Sequence, residues 1–531
     1  MSSLIDNPAA EQRSESVGAR YLVTLAAQVL RVALAFASAA IVPRVLGPIA
    51  YGNYTFLLSA SATVRAFLDN GTQQAFFTFS ARDARSGGLT RLYACVLTVQ
   101  FGVSMLLIGV LAAADKLAWL WPGQALDEIV IVTALEWTLF LAATLQQLGD
   151  SKAHTIYPQL LGALVSIVVL FGLLALWGTG RLDFDSFVWL NLGGALLTCA
   201  LLAYWLIGRH AEVFWRGALA LPRVVTRWWT FASPLLLLQY YTPLVAYAGL
   251  YLIQRWYGSA EQGHYGLALQ WSALAMIFTN ASITIFWREI AHHTASGALP
   301  RAAAAYEQFG RLFFVLVFAV ACWLSVGSGT LVRAIAGEQF EDAATVLAVM
   351  AFYPVAQTLG QLTATSLKAL ERTGTYARWT LYLSVPDLLL TYFLIAPSTA
   401  PVPGLGLGAV GLAIKTALYG LVGVHVLDWL NCRVLGIDYA ALFRGRIAVS
   451  LGIGIVALAF IGGGGRLLAA AGIAAVPALI ATSLGYAVFV GVALWLRPTI
   501  AGVTREQLSR ALQIGKMRPP AARAAGESEG V

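Results

Sequence analysis

Residues 21–46 read YLVTLAAQVLRVALAFASAAIVPRVL, and Arg31 and Arg44 are the only charges among them. A bilayer core about 30 Å thick takes roughly 20 residues of helix, so this run is long enough to cross it. It is too long for the apolar core of a signal peptide, and Asp6, Glu11 and Glu15 stand before it. The reading is therefore an uncleaved first span. A short turn-like segment follows, RVLGPIAYGNY at 44–54, and then a second apolar run begins.

Working outward with the same ruler gives roughly fourteen spans. They lie at 20–44, 51–79, 91–113, 128–148, 156–177, 186–208, 228–253, 263–287, 309–330, 343–367, 376–396, 406–428, 446–461 and 467–496. Composition agrees: the 531 residues are 59% hydrophobic and only 11% charged, with mean hydropathy +0.73. A soluble domain carries about 25% charged residues. The fold class is an all-α polytopic membrane protein.

The net charge of +8 would suggest nucleic acid in a soluble protein, but here its distribution argues otherwise. With a cytoplasmic N-terminus, the outer segments hold only Arg44, Lys116, Arg181, Arg255, Arg333 and Arg466. Arg31, Arg65 and Lys415 lie within spans, and all remaining basic residues fall inside. That bias predicts an even number of spans, both termini cytoplasmic, and basic segments facing anionic inner-leaflet lipid. Nucleic acid is not an expected partner. Cys95, Cys199, Cys322 and Cys432 are widely separated and read as buried small hydrophobes, so no metal site is expected.

The turn at 44–54 has an echo. RVLGPIAYGNY and RWYGSAEQGHY (255–265) share Arg, Gly, Gly and Tyr at constant offset: 44/255, 47/258, 52/263 and 54/265. A weaker echo pairs Asp127-Glu128 before the fourth span with Glu341-Asp342 before the tenth. Both of those helices end in an L-x-x-L turn, LQQL and LKAL. The organisation read from this is a cytoplasmic tail at 1–19 and an N-lobe at 20–208 (spans 1–6). A C-lobe at 228–428 (spans 7–12), an added pair at 446–496 and a cytoplasmic tail at 497–531 follow. Paired lobes around a central site are a common transporter plan.

At these residues the chain resembles the polysaccharide flippases of the MOP superfamily, the Wzx-type O-antigen and exopolysaccharide exporters. The resemblance is carried by PRVLGPIAYGNYTFLLS, the helix ending in FLDNG, and LVRAIAGEQFEDAATVLAVMAFYPVAQTLGQLTATSLKALERTG. GLGLGAVGLAIKTALYG at the twelfth span adds to it. It covers roughly 20–500. It implies two six-helix bundles in a MATE-like V. It further implies export of an undecaprenyl-pyrophosphate-linked oligosaccharide by alternating access across the bacterial inner membrane, for surface polysaccharide and lipopolysaccharide biosynthesis. Membrane lipids and other polysaccharide-assembly proteins are the implied partners, with no cofactor. The charged first-helix signature of the lipid II flippase branch is not found, because no acidic neighbour follows Arg31. The drug-exporting MATE branch shares the fold, which keeps an ion-coupled antiporter as the alternative.

Ionisable residues inside spans cost about 2.5–3.5 kcal/mol on insertion scales, so those kept mark candidate sites. Arg31 shares a helical stripe with Thr24, Gln28 and Ser38. It is read as a cation for pyrophosphate or an acidic sugar, or as one half of an internal salt bridge with Glu136. Arg65 and Asp69 are one turn apart and can pair with each other. Glu136 has no charge beside it in its span and can carry a proton or close a salt bridge across the lobe. Lys415 and Asp387, the latter next to the helix-bending Pro386, form a candidate cross-helix pair. Tyr240 and Tyr241 lie too deep for an interfacial belt and can face a glycan or pack between helices, while Asn280 can line the cavity or bond across helices. Substrate-binding candidates are thus Arg31, Gln28, Arg65, Lys415, Tyr240, Tyr241 and Asn280, with Glu136, Asp69 and Asp387 for ion coupling. Asp428 is expected to be interfacial.

Two glycine patterns are set aside. Gly406, Gly408 and Gly411 spell GxGxxG with no strand before them, so no dinucleotide site is expected. Gly462 to Gly465 are read as an outer turn. A membrane glycosyltransferase or polymerase is disfavoured because the longest outer connections run only about ten to fifteen residues. The chain is not expected to be an enzyme.

Overall fold

The structure, a computed structural model, describes residues 17–82, 87–151, 156–209, 221–233, 236–503 and 505. Among them there are helices and turns and no strands. That follows from the solvent: in lipid every backbone donor must be satisfied within the segment, and a helix does this locally. Ten helices among the described residues are long and apolar enough to cross a membrane.

The first half of the chain comprises α1 (Val17–Asp69), α2 (Thr72–Arg82), α3 (Gly87–Ala113), α4 (Leu126–Ser151), α5 (Ile156–Gly178) and α6 (Phe184–Arg209). Next come α7 (Leu221–Ala232), α8 (Leu236–Trp256), α9 (Ser259–Ser272), α10 (Ile277–Ala295) and α11 (Leu299–Ile335). The chain continues through α12 (Ala343–Met350), α13 (Tyr353–Ala369), α14 (Thr373–Ile395), α15 (Gly408–Ile414) and α16 (Gly420–Leu435). It closes with α17 (Tyr439–Ala457), α18 (Gly465–Ala470) and α19 (Ala475–Leu496).

Three expectations about boundaries change. The long second span breaks at Asn70 and Gly71, which both take positive φ, 46° and 74°. Asp69 then caps α2 by accepting from Thr72 Oγ1 at 2.7 Å and the Gln73 amide at 3.1 Å. The glycines 462–465 are not a turn. Residues Leu458–Gly464 form a π turn that carries the helix from α17 into α18. An apolar setting keeps backbone bonds inside the helix even where glycine is abundant. The chain turns instead after Ala470, around Gly472 at φ 79°, so the thirteenth helix is longer than expected and the fourteenth is Ala475–Leu496.

The repeat is realised in the backbone. Gly47 breaks α1 at φ 75°, ψ 171°, and Pro48 restarts the helix beyond it. Gly258 does the same before α9 at φ 82°, ψ −171°. Gly337 takes the same conformation, φ 92°, ψ 171°, before the Glu341-Asp342 pair, and Gly123 has φ 72° before Asp127-Glu128. L-residues rarely adopt these angles, so glycine is required at each. The acidic pair then meets a helix N-terminus, where negative charge is favoured.

By contacts the chain divides into two compact units. The first is drawn from Met1–Leu274, Gly327–Tyr353 and Gly374–Gly423. The second is drawn from Ala275–Val326, Pro354–Thr373 and Val424–Val531. These contact units are distinct from the six-span lobes read from the repeat. In the first unit α9 lies directly against α1: a methyl group on Gly52 would overlap the Ser259 carbonyl, and one on Gly263 would overlap that of Pro48. In the second unit Phe286, Ile290, Tyr306, Phe313, Leu362 and Cys432 form a buried core between α10, α11, α13 and α16.

Candidate functional site

A polar-lined cavity of the first unit, about 490 Å³, lies among α1, α4, α5, α6 and α9. Arg31 lines it, along with Ser38, Gln146, Ser166, Asn191 and Thr198. Among the described residues Arg31 has no ion-pair partner, and no carboxylate lines the cavity. A guanidinium left unpaired beside a polar hollow is arranged to receive an anion. The side chain of Gln28 lies outside the described residues.

The other in-span charges are paired, partly against expectation. Glu136 does not stand alone, nor does it reach Arg31: Arg65 Nε donates to its Oε1 at 2.7 Å. Arg65 also lies over the Phe140 ring, its Cζ 3.9 Å from the centroid. Arg65 and Asp69 do not pair with each other, because Asp69 is occupied in capping α2. Spacing along one helix permitted that pair, but the partner came from α4 instead.

Lys415 Nζ lies 2.9 Å from Asp387 Oδ2, the cross-helix pair expected from the sequence. Its setting was not foreseen. Lys415–Tyr419 form a π turn between α15 and α16, and π turns gather at functional sites. On α14, Pro386 lacks an N–H and interrupts the ladder of backbone bonds. The carbonyls just before it are met by tyrosines: Tyr419 Oη donates to Leu383 O at 2.6 Å, and Tyr241 Oη to Ser384 O at 2.7 Å. Tyr241 thus donates its hydroxyl proton to a backbone carbonyl. Tyr240 is exposed and stacks on Phe67, centroids 5.7 Å apart.

In the second unit Asn280 sits exposed on α10. Asp428 is the clearest correction. It is fully buried rather than interfacial, and it accepts from Tyr306 Oη and Arg446 Nη1. Tyr306 also meets Thr363 at 2.9 Å, so α11, α13, α16 and α17 share one polar knot. Asp428 and Arg446 are 18 residues apart on different helices, and the sequence carries no sign that they meet.

The end of the first unit that carries the repeat glycines is tied together by hydrogen bonds. Arg44 Nη1 donates to Ala334 O at 3.4 Å, Gln339 Nε2 donates to Arg44 O at 2.7 Å, and Tyr51 Oη donates to Gln270 Oε1. Glu261 accepts from the Ala409 amide at 3.0 Å at the start of α15 and lies 3.4 Å from His264 Nδ1. That His264 hydrogen bond, with the Ala409 amide adding to it, holds the Glu261 carboxyl below its ordinary range.

Among the described residues, ten helices long and apolar enough to cross a membrane, with a polar-lined cavity among them, define a multi-span membrane protein. The fold is that of the MOP-superfamily transporters. A lipid II flippase, MurJ, in an inward closed conformation, is 11% identical with a TM-score of 0.63, covering 90% of this chain and 98% of that one. An inward-facing multidrug resistance MATE family transporter of the MOP superfamily is 14% identical with a TM-score of 0.57, covering 80% and 99%. A MOP superfamily transporter from Pyrococcus furiosus is 14% identical with a TM-score of 0.51, covering 78% and 94%. No family model and no curated protein matches the sequence. At these identities the likeness is one of fold.

Proposed function

We propose that this protein is a flippase for undecaprenyl-pyrophosphate-linked oligosaccharide in a bacterial inner membrane, serving surface polysaccharide assembly. One observation carries the reading. Among the described residues Arg31 stands unpaired in a cavity lined by no carboxylate, while Glu136, Asp387 and Asp428 are each matched to a cation. A site with a free cation and no free carboxylate suits an anionic cargo such as a pyrophosphate. The resemblance to Wzx-type exporters and the fold shared with a lipid II flippase support the same class of cargo. In this reading the lobes at 20–208 and 228–428 alternate, the tied end around Gly52 and Gly263 is the outer gate, and both termini are cytoplasmic.

The test is to delete the gene and identify the lipid-linked intermediate that accumulates, then complement with Arg31→Ala. The reading requires a lipid-linked oligosaccharide to build up and Arg31→Ala to insert without restoring export. The fold is shared with multidrug transporters, which makes a small-molecule antiporter the second reading. No lipid-linked intermediate, with drug sensitivity instead, would select it.

A further inference from the structure

The cavity contains a narrower device than a single arginine. Its polar lining divides into groups that are already engaged and groups that are not. Ser166 Oγ donates to Gly162 O at 2.8 Å, Asn191 Nδ2 to Phe187 O at 2.8 Å, and Thr198 Oγ1 to Gly194 O at 2.9 Å. These donors serve their own helices. Arg31 and Gln146 have no hydrogen-bond partner among the described residues, and both are only half-buried.

Gly162 on α5 explains why these two sit together. A methyl group built there would lie 3.2 Å from Gln146 Nε2 and 3.5 Å from Arg31 Nη1. The guanidinium from α1 and the amide from α4 therefore converge on the space a side chain at 162 would take. Two donors around one gap match the two oxygens of an oxyanion.

We propose that Gly162 is a specificity-determining position: its missing side chain lets Arg31 and Gln146 act together as a donor pair for one oxyanion of the cargo. The inference rests on the flippase reading and deepens it. The oxyanion is a phosphoryl group of the lipid diphosphate or the carboxylate of an acidic sugar, which share this chemistry. At about 490 Å³ the cavity lies within the usual range for small-molecule sites, roughly 300–1,000 Å³, and admits such a headgroup. Any larger residue at 162 fills the gap and separates the donors.

The full chain in lipid nanodiscs tests this by calorimetric titration with farnesyl pyrophosphate, with glucuronate, and with farnesol as the uncharged control. Gly162→Val and Gln146→Leu are each expected to weaken binding of the anionic probe at least tenfold and to leave farnesol unchanged. Gln146→Leu nearly conserves volume, so it answers even where Gly162→Val folds poorly. Gly102→Ala, on α3 with nothing within 4 Å, is expected to bind as the parent does. A loss confined to farnesyl pyrophosphate assigns the pair to the lipid diphosphate, and a loss confined to glucuronate assigns it to an acidic sugar. Unchanged binding in both variants, with Arg31→Ala still defective, overturns the role of Gly162 and leaves the flippase reading standing. A parent protein that binds neither anion overturns both.

Discussion

Gly52 and Gly263, matching members of the two repeats, each lack a side chain where the other repeat's backbone passes. A Cβ on Gly52 would fall 2.8 Å from the Gly263 amide nitrogen and onto the Ser259 carbonyl; one on Gly263 would strike Pro48. The repeat therefore has a packing reason: its two copies close on one another, and only glycine allows the approach.

Replacing Gly52 with Ala puts a methyl group against backbone, which cannot rotate away. Overpacking of this kind costs about 1–3 kcal/mol. Thermal unfolding in detergent should show a lower midpoint for Gly52→Ala and Gly263→Ala. Gly109→Ala, with nothing within 4 Å, should match the parent. Equal midpoints for all three would remove the interlock from the account.

Glu136→Gln leaves Arg65 charged and without its partner. Breaking a buried pair from one side costs about 3–5 kcal/mol; Arg65 keeps some exposure, so the lower end is expected. Arg65→Gln together with Glu136→Gln should recover part of the loss. Additive losses in the double variant would show that the pair contributes nothing as a pair.

Tyr419→Phe and Tyr241→Phe each remove the side-chain donor to a carbonyl just before Pro386. A net cost near 1 kcal/mol is expected for each, as a shift in thermal midpoint. Transport with an unchanged midpoint in both would mean that water replaces the hydroxyls.

Asp428→Asn strands Arg446 in a fully buried setting, and a loss of about 3–5 kcal/mol is expected. Arg446→Met in the same chain removes the stranded charge. If expression and thermal midpoint fail to recover in the double variant, the charge pairing is not what Asp428 supplies.

Glu261 yields a pH dependence. Its folded carboxyl titrates below the ordinary glutamate value of 4.5. Its contribution is therefore complete above that pH and lost as the pH falls through the lower folded value. Protection from hydrogen exchange at the start of α15, relative to the intrinsic rate at each pH, should fall in acid, and Glu261→Gln should abolish that acid response. A response of the same size in the variant would assign it to another group.

The sequence by itself determined the helices, the two echoing turns and the Lys415–Asp387 pair. Apolar length is a one-dimensional quantity that lipid reads directly, and Lys415 and Asp387 stand at matching depth on successive spans, so few other partners were open to them. Tertiary structure alone decided the rest. Arg65 could turn to Asp69 on its own helix or to Glu136, 71 residues on, and the rotation of α4 against α1 settled it. Asp428 looked interfacial because it lies near a span end, yet Arg446 and Tyr306 close over it. Gly162 looked like one more small residue in an apolar helix until Arg31 and Gln146 were found facing it. Hydropathy and spacing fix where a residue lies along its helix and which stripe it shares. Which neighbouring helix that stripe meets is set only when the bundle packs.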